Sequence, residues 1–480
     1  MHVRYQNLRE WLIQIEEMGG LKEVEGANIE EDAGMMAEML SHTENGPAVI
    51  MDAIPGYPKG NRLLINTNGA RERIAHTLGF DHQIDRAALI EALALRLQNL
   101  QPLSPVVVEG GPVMENVSKG DDVDLYKFPA PLWHLEDGGR YIGTGCYLIT
   151  RDPEEGWINL GTYRVMLQKK NQVGFYVSPG HHGWLHREKY FAQGEPCPVA
   201  IVLGGDPLLM IAGSLEVPWG MSEYEWAGGL RGGPYQVVND PVTGLPIPAE
   251  AEIVLVGYSH PGQKASEGPF GEWTGYYASG SREEPFIKVE AIYYRDSPII
   301  LGIPPNRPPY EADQYRQYIK SAMLLNDLRR SGVPGVKSVC CHGVGGCRLL
   351  IAVAIEQMYT GHAAQTGHLA CQLPAGAYLG RLVVVTDDDI DVSDLEELMW
   401  AILTRCNPST DLDIIHRAWS GPLDPLVSPD MRAKGEFYNS RLIINATKPW
   451  SWRHQFPKAI GPDKEYRRRT REKWGYLLNK

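Results

Sequence analysis

A chain of 480 residues exceeds what a single hydrophobic core usually holds, so two or three domains are expected. The 46 Lys and Arg against 59 Asp and Glu leave a net charge of −13, which argues against nucleic acid or an anionic membrane surface as the main partner. The first thirty residues are studded with charge, the apolar stretch Pro207–Leu215 is too short to span a bilayer, and seven cysteines form no disulfide framework, so a cytoplasmic protein with reduced thiols is expected.

The chain opens with a helix. Asn7 and Glu10 have capping-box spacing, Leu8, Trp11, Leu12 and Ile15 form one apolar stripe, and Gly19-Gly20 ends it. A second amphipathic helix is expected from about Asp85 to Leu97. From about Tyr141 to Leu301 the texture changes to short β-rich runs: Tyr147–Thr150, Val199–Leu203, Glu252–Val256 and Phe286–Tyr293. Gly, Pro and Asp clusters separate them, which predicts a largely antiparallel sheet or barrel rather than regular βαβ alternation. Leu301–Pro309 reads as a stiff, proline-rich break, followed by a long helix over about Glu311–Arg330 that stops at Ser331-Gly332.

Strands then alternate with helices. Arg381–Thr386 reads as a buried strand running into Asp387-Asp388-Asp389, and Ser393 with Glu396 fits a capping box opening a helix over Leu395–Thr404. A second α/β domain over 333–445 is the economical reading, and it is expected to be the surface of self-association. The last thirty-odd residues, rich in Trp and Arg, read as a tail that packs elsewhere. Its basic run, Arg467-Arg468-Arg469 with Arg471 and Lys473, is interleaved with Glu465 and Glu472, which predicts a solvated helix face.

The segment with most chemistry is Glu267-Gly-Pro-Phe-Gly-Glu272-Trp-Thr-Gly-Tyr-Tyr277. A regular strand would send two residues five apart to opposite faces. Gly268, Pro269 and Gly271 argue instead for a turn that aims both carboxylates into one cavity. Two acids sharing a partly dry site cannot both ionise cheaply, so one stays protonated near neutral pH and can donate a proton. The plainer alternative is a pair of solvated acids on a glycine-rich loop.

Three further segments, Asn159–Arg164, Pro179–Gly183 with His181-His182, and Ser222–Trp226 with Glu223, offer an amide, imidazoles and a carboxylate. That mixed set suits Mn²⁺ or Mg²⁺ better than structural zinc, although adjacent histidines also serve as hydrogen-bonded loop structure. Cys340-Cys341-His342 with Cys347 lacks the second ligand pair that zinc wants and reads as packing. Gly343–Gly346 lacks the glycine spacing of a dinucleotide turn, and no nucleotide phosphate-binding loop or His-Glu-x-x-His is present.

Taken in order, Asn159-Leu-Gly-Thr-Tyr-Arg164, Ser222-Glu-Tyr, Leu230-Arg-Gly, Ala251–Gly257, Glu267–Tyr276 and Thr386–Asp391 resemble the UbiD family of reversible decarboxylases. The resemblance implies an N-terminal catalytic domain over 1–307 built on a split β-barrel that binds prenylated FMN. It further implies a linker helix over 308–332, an α/β oligomerisation domain over 333–445, and a tail over 446–480 packing back on a neighbouring domain. It assigns Arg164, Glu267 and Glu272 to the catalytic network, and Asn159, His182 and Glu223 to the metal. Thr162, Tyr163, Arg164 and the His181-His182 loop fall where the cofactor is held, and either histidine can be the ligand. No lysine in the C-terminal domain matches the family's, Glu356-Gln357 occupying that neighbourhood.

The activity implied is non-oxidative decarboxylation of an aromatic or heteroaromatic acid through a covalent adduct with the flavin, Glu272 delivering the proton. Mn²⁺ or Mg²⁺, K⁺, a flavin prenyltransferase that supplies the cofactor, and a homodimer or homohexamer belong to the same implication. Alternatives are a cinnamate-like, α,β-unsaturated acid as substrate, and a split-barrel FMN oxidoreductase. The latter leaves the Glu267–Glu272 pair without a task.

Overall fold

The structure is a computed structural model that describes residues 2–460 and 464–478. Its first helix, Leu8–Glu17, buries the expected stripe Leu8, Trp11, Leu12 and Ile15. Asn7 caps it by accepting from the Glu10 amide at 3.0 Å, while Glu10 accepts from the Gln6 amide at 2.8 Å. The reciprocal bond of a capping box thus lands one residue upstream. The helix expected over Asp85–Leu97 is Arg86–Gln98, with Asp85 as its cap.

A four-stranded sheet follows, in the order Leu21–Glu25, Ala48–Asp52, Arg62–Ile65, Ile299–Gly302. Its last strand returns from far along the chain to lie parallel to Arg62–Ile65. Leu301 is therefore a buried strand residue, and the irregular proline-rich segment starts only after Gly302. The apolar run Ile299-Ile-Leu reads equally well as the end of the preceding meander, which is why the boundary falls late.

The middle of the chain forms a ten-stranded sheet. Its path runs Tyr141–Gly143, Val165–Lys169, Gln172–Gly174, Arg282–Tyr294, Ile253–Ser259, Cys197–Val202, Tyr147–Arg151, Ile158–Gly161, and every paired neighbour is antiparallel. The path is open rather than closed, so the barrel is split. The long strand Arg282–Tyr294 also pairs with Lys264–Glu267 and Asn116–Lys119. Its alternating burial marks one wet and one dry face at its start, giving way to full burial toward its end.

Helix Glu311–Arg330 has the expected bounds. It is buried along much of its length, Asn326 donating to the Ala94 carbonyl of helix Arg86–Gln98 at 2.8 Å. The C-terminal sheet has the order Val336–Cys341, Leu350–Ile355, Leu382–Asp387, Tyr438–Ala446, Leu412–Trp419, with parallel pairing in its centre and antiparallel pairing at both edges. Cys340, Cys341 and Cys347 are buried in this region as packing residues. The helix after it spans Leu395–Arg405, and its cap is Asp394 rather than Ser393: Asp394 accepts from the amides of Glu396 and Glu397. Two good capping residues stand side by side there, and the backbone turns at the second. In the tail, Lys464–Trp474 is helical and its residues from Glu465 onward are exposed, with Arg468 paired to Glu465 and Glu472.

Candidate active site

The site forms where the open sheet meets two loops. Strand Lys264–Glu267 ends on Glu267, and Gly268 takes φ of +79°, a conformation that side chains with a Cβ rarely adopt. That turn swings the chain so that Glu272, five residues on, comes back to the partner of Glu267. Arg164 stands between strands Ile158–Gly161 and Val165–Lys169 and is that partner.

Its Nε and Nη2 each donate to Glu267 at 2.8 Å, and its Nη1 donates to Glu272 at 2.6 Å. The guanidinium fork therefore holds one acid with two bonds and the other with one. Side-chain exposures of 9% for Arg164, 2% for Glu267 and 12% for Glu272 leave Glu272 the acid nearest to solvent or a ligand. Burial pushes the Glu272 carboxyl above the usual carboxylate range, an effect that Arg164 offsets only in part. Burial disfavours the Arg164 charge, but Glu267 and Glu272 more than restore it. The Tyr141 hydroxyl donates to Glu267 at 3.2 Å, a contact with no signal in the sequence. Tyr176 and Phe270 present their ring faces to the Arg164 guanidinium at 4.8 and 5.4 Å.

The candidate cofactor residues line the adjoining strand. Thr162 donates its amide to the Gly213 carbonyl at 3.0 Å, and the Tyr163 hydroxyl accepts from the Gly183 amide at 3.2 Å. His181 stands at the N-terminal boundary of helix His182–Ala192, without a capping bond from its side chain, and meets the Tyr163 ring edge-on. Glu223 opens helix Glu223–Arg231, whose capping box is formed by Ser222 and Glu225. Its carboxylate accepts from the Leu160 amide at 2.6 Å, so Glu223 lies beside Asn159. His182 lies edge-on to Trp157 at 5.1 Å, and Trp157 immediately precedes the strand that carries Asn159. No hydrogen bond joins His182 to Asn159 or Glu223 among the described residues.

The chemistry of this set fits a cation. Burial drives the Glu223 carboxyl up to about 8, with little but the Leu160 and its own amide to offset a cost that a bound cation would relieve. Among the described residues no three His, Cys, Asp or Glu side chains gather closely enough to hold a metal by themselves.

A second group escaped sequence reasoning altogether. Glu216 accepts from Arg348 at 2.7 Å and faces Lys320 at 3.7 Å, while Arg316 donates to the Ser214 carbonyl at 3.3 Å. Buried Nε of Arg316 and Nη1 of Arg348 have no acceptor. Arg348 and Lys320 hold the half-exposed Glu216 carboxyl well below the usual range. Three cations around one carboxylate, two with idle donors, make a place for an anionic group such as a phosphate. Arg316 and Lys320 stand one turn apart on helix Glu311–Arg330 and Arg348 in a distant loop, and a Lys or Arg on a helix looks like any snorkelling side chain.

An arginine holding two unequal buried acids on an open antiparallel sheet is an arrangement suited to moving a proton. Comparison with known proteins supplies the class. Residues 106–308 match the profile of the 3-octaprenyl-4-hydroxybenzoate carboxy-lyase Rift-related domain, and residues 315–446 that of the C-terminal domain of the same enzymes. A pyrrole-2-carboxylic acid decarboxylase of Pseudomonas aeruginosa is 31% identical over 447 residues, 88% of both chains. A phenolic acid decarboxylase of Bacillus subtilis is 32% identical over 93% of both. Among solved structures, the open form of vanillic acid decarboxylase from Sedimentibacter hydroxybenzoicus superposes with a TM-score of 0.87 at 29% identity, covering 99% of this chain and 100% of that one. The UbiD-class enzyme HmfF from Pelotomaculum thermopropionicum, solved with FMN, superposes at 0.84 with 28% identity over 96% and 98%. The chain belongs to the UbiD family of decarboxylases.

Proposed function

We propose that this protein catalyses reversible, non-oxidative decarboxylation of an aromatic or heteroaromatic carboxylic acid, with Glu272 as the proton donor. Loss of CO₂ from an sp² carbon leaves an electron pair with no stable orbital. Prenylated FMN, when bound, supplies the electron sink. The protein's share is placement and the proton.

The observation that carries the reading is the inequality of the two acids on Arg164. Glu267, doubly bonded and nearly sealed, fixes the guanidinium. Glu272, with one bond and a carboxyl raised by burial, gives its proton to the carbon that held the carboxylate, and its new charge is received by the Nη1 already facing it. Three of the five N–H donors of Arg164 are spent on the two acids, so in this reading its main task is to tune the acid. Asn159, Glu223 and one of His181 and His182 would hold Mn²⁺ or Mg²⁺, K⁺ belongs to the same reading, and Arg316, Lys320 and Arg348 would face the cofactor phosphate. A flavin prenyltransferase would supply that cofactor.

Glu272→Gln keeps the shape and removes the proton. In enzyme co-expressed with a flavin prenyltransferase, CO₂ release should fall by more than about tenfold, the scale of general acid catalysis. Turnover within that factor of wild type would remove Glu272 from the role.

A further inference from the structure

Asp137 is a buried carboxylate outside the set described so far. It accepts from the His134 amide at 3.0 Å and meets His134 Nδ1 at 3.1 Å. Across the gap, it accepts from the Gly271 amide and from the Tyr277 hydroxyl, both at 3.4 Å. These two donors flank Glu272, one residue before it and five after. The same segment makes a second contact, the Gly138 amide donating to the Pro269 carbonyl at 2.8 Å. A Cβ at Gly138 would run into the Gly268 carbonyl, so the two strands of chain touch as closely as backbones can.

His134 extends the contact in the other direction. Its Nε2 faces the side-chain Oδ1 of Asn306 at 3.2 Å, and its ring meets Phe270 edge-on at 5.7 Å. Both ring nitrogens thus face acceptors, which suits an imidazolium. Burial opposes that charge, but the bonds to Asp137 outweigh it and hold the His134 pKa above its ordinary value. Within the loop, the Glu272 amide donates to the Tyr276 carbonyl at 3.0 Å and the Gly275 amide to the Glu272 carbonyl at 2.8 Å, closing a compact turn. That turn has its own shape, and Asp137 ties both of its ends to the body of the protein, beside the contacts made by Gly138, Arg164 and the packed Trp273 ring.

We infer that Asp137, together with His134 and Tyr277, is a positioning device that holds the loop 268–277 in place so that Glu272 meets Arg164. The inference rests on the reading of Glu272 as proton donor. Asp137 and His134 touch neither Arg164 nor Glu272, so they act through the loop. A proton donor displaced by about 1 Å loses on the order of a hundredfold in rate without necessarily losing substrate affinity.

The test uses the full chain as isolated from cells that co-express a flavin prenyltransferase, and compares Asp137→Asn and Tyr277→Phe with wild type. Amide exchange of the peptide spanning 268–277 should quicken by about tenfold in Asp137→Asn and by less in Tyr277→Phe, with other peptides unchanged. In CO₂ release, kcat should fall by about tenfold or more in Asp137→Asn while KM stays within about twofold, the split expected when only the transition state loses a partner. Should Asp137→Asn fail to fold, Tyr277→Phe decides, since that side chain is exposed. Unchanged loop exchange, or a loosened loop with unaltered kcat, overturns the inference. Glu272→Gln keeps the two readings apart: if it retains turnover the proton-donor role fails, whereas the exchange of the loop still reports on Asp137.

Discussion

Arg164 faces two carboxylates that differ in what surrounds them, and this difference sets the pH behaviour expected of the site. Burial favours the neutral form of Glu272, so the acid keeps its proton above the ordinary glutamate value of about 4.3. Proton donation requires that form. The rate should hold at low pH and fall as pH rises through the raised pKa, and a pH profile of kcat that instead climbs across that range would contradict a donor role. Tyr141→Phe removes a 3.2 Å bond to Glu267 but leaves both bonds to Arg164. A stability loss of about 1 kcal/mol and a rate loss under about tenfold are expected, read from a denaturation midpoint and from CO₂ release. The pairing of Glu267 with Glu272 was legible in the sequence because Gly268, Pro269 and Gly271 disfavour a regular strand, whereas Arg164 came to them only through the resemblance to the UbiD family. Tyr141, Asp137 and the cations around Glu216 were not legible, because nothing in the spacing of one segment reports the side chains of another.

Helix Glu311–Arg330 carries two buried acids in its first turn. Glu311 accepts from the Asn68 amide at 2.8 Å and Asp313 from the Tyr310 amide at 3.1 Å, yet burial holds both carboxyls at about 7. An unfolded chain releases these protons near pH 4, as free carboxyls do at about that value. The folded chain therefore binds more protons between about pH 4 and 7, and its stability falls as pH rises through that window. Glu311→Gln should flatten the fall, so that melting temperature at pH 8 relative to pH 5.5 is higher in the variant than in wild type. An equal or steeper fall in the variant would exclude Glu311 as a source. Capping gives a sharper comparison: Asp394→Ala should cost about 1 kcal/mol and Ser393→Ala close to nothing, measured by denaturant midpoint. Helices such as Leu8–Glu17 were readable because four apolar residues fall on one stripe, whereas the cap of Leu395–Arg405 was misplaced by one residue because neighbouring Ser and Asp carry the same signal.

At the scale of the whole molecule, the C-terminal domain leaves apolar side chains in the open. Met399, Trp400 and Leu403 are exposed on helix Leu395–Arg405, and Ile414 and Trp419 on the edge strand Leu412–Trp419. An exposed edge strand beside an apolar helix face is a surface that proteins normally cover. Sedimentation should show an assembly larger than the 53.5 kDa chain, and Leu403→Glu with Ile414→Lys should shift it toward the monomer. A monomeric wild type would dismiss this face as the interface.

The pairing of Ile299–Gly302 with Arg62–Ile65 bears on synthesis. As the chain leaves the ribosome, Arg62–Ile65 waits with one edge bare until almost two thirds of the protein has been made. During that interval the nascent N-terminal portion offers an open strand to any neighbour, which makes it a client for chaperones. Polypeptides stopped short of Ile299 should accumulate in inclusion bodies, while those carried past Arg330 should yield more soluble product.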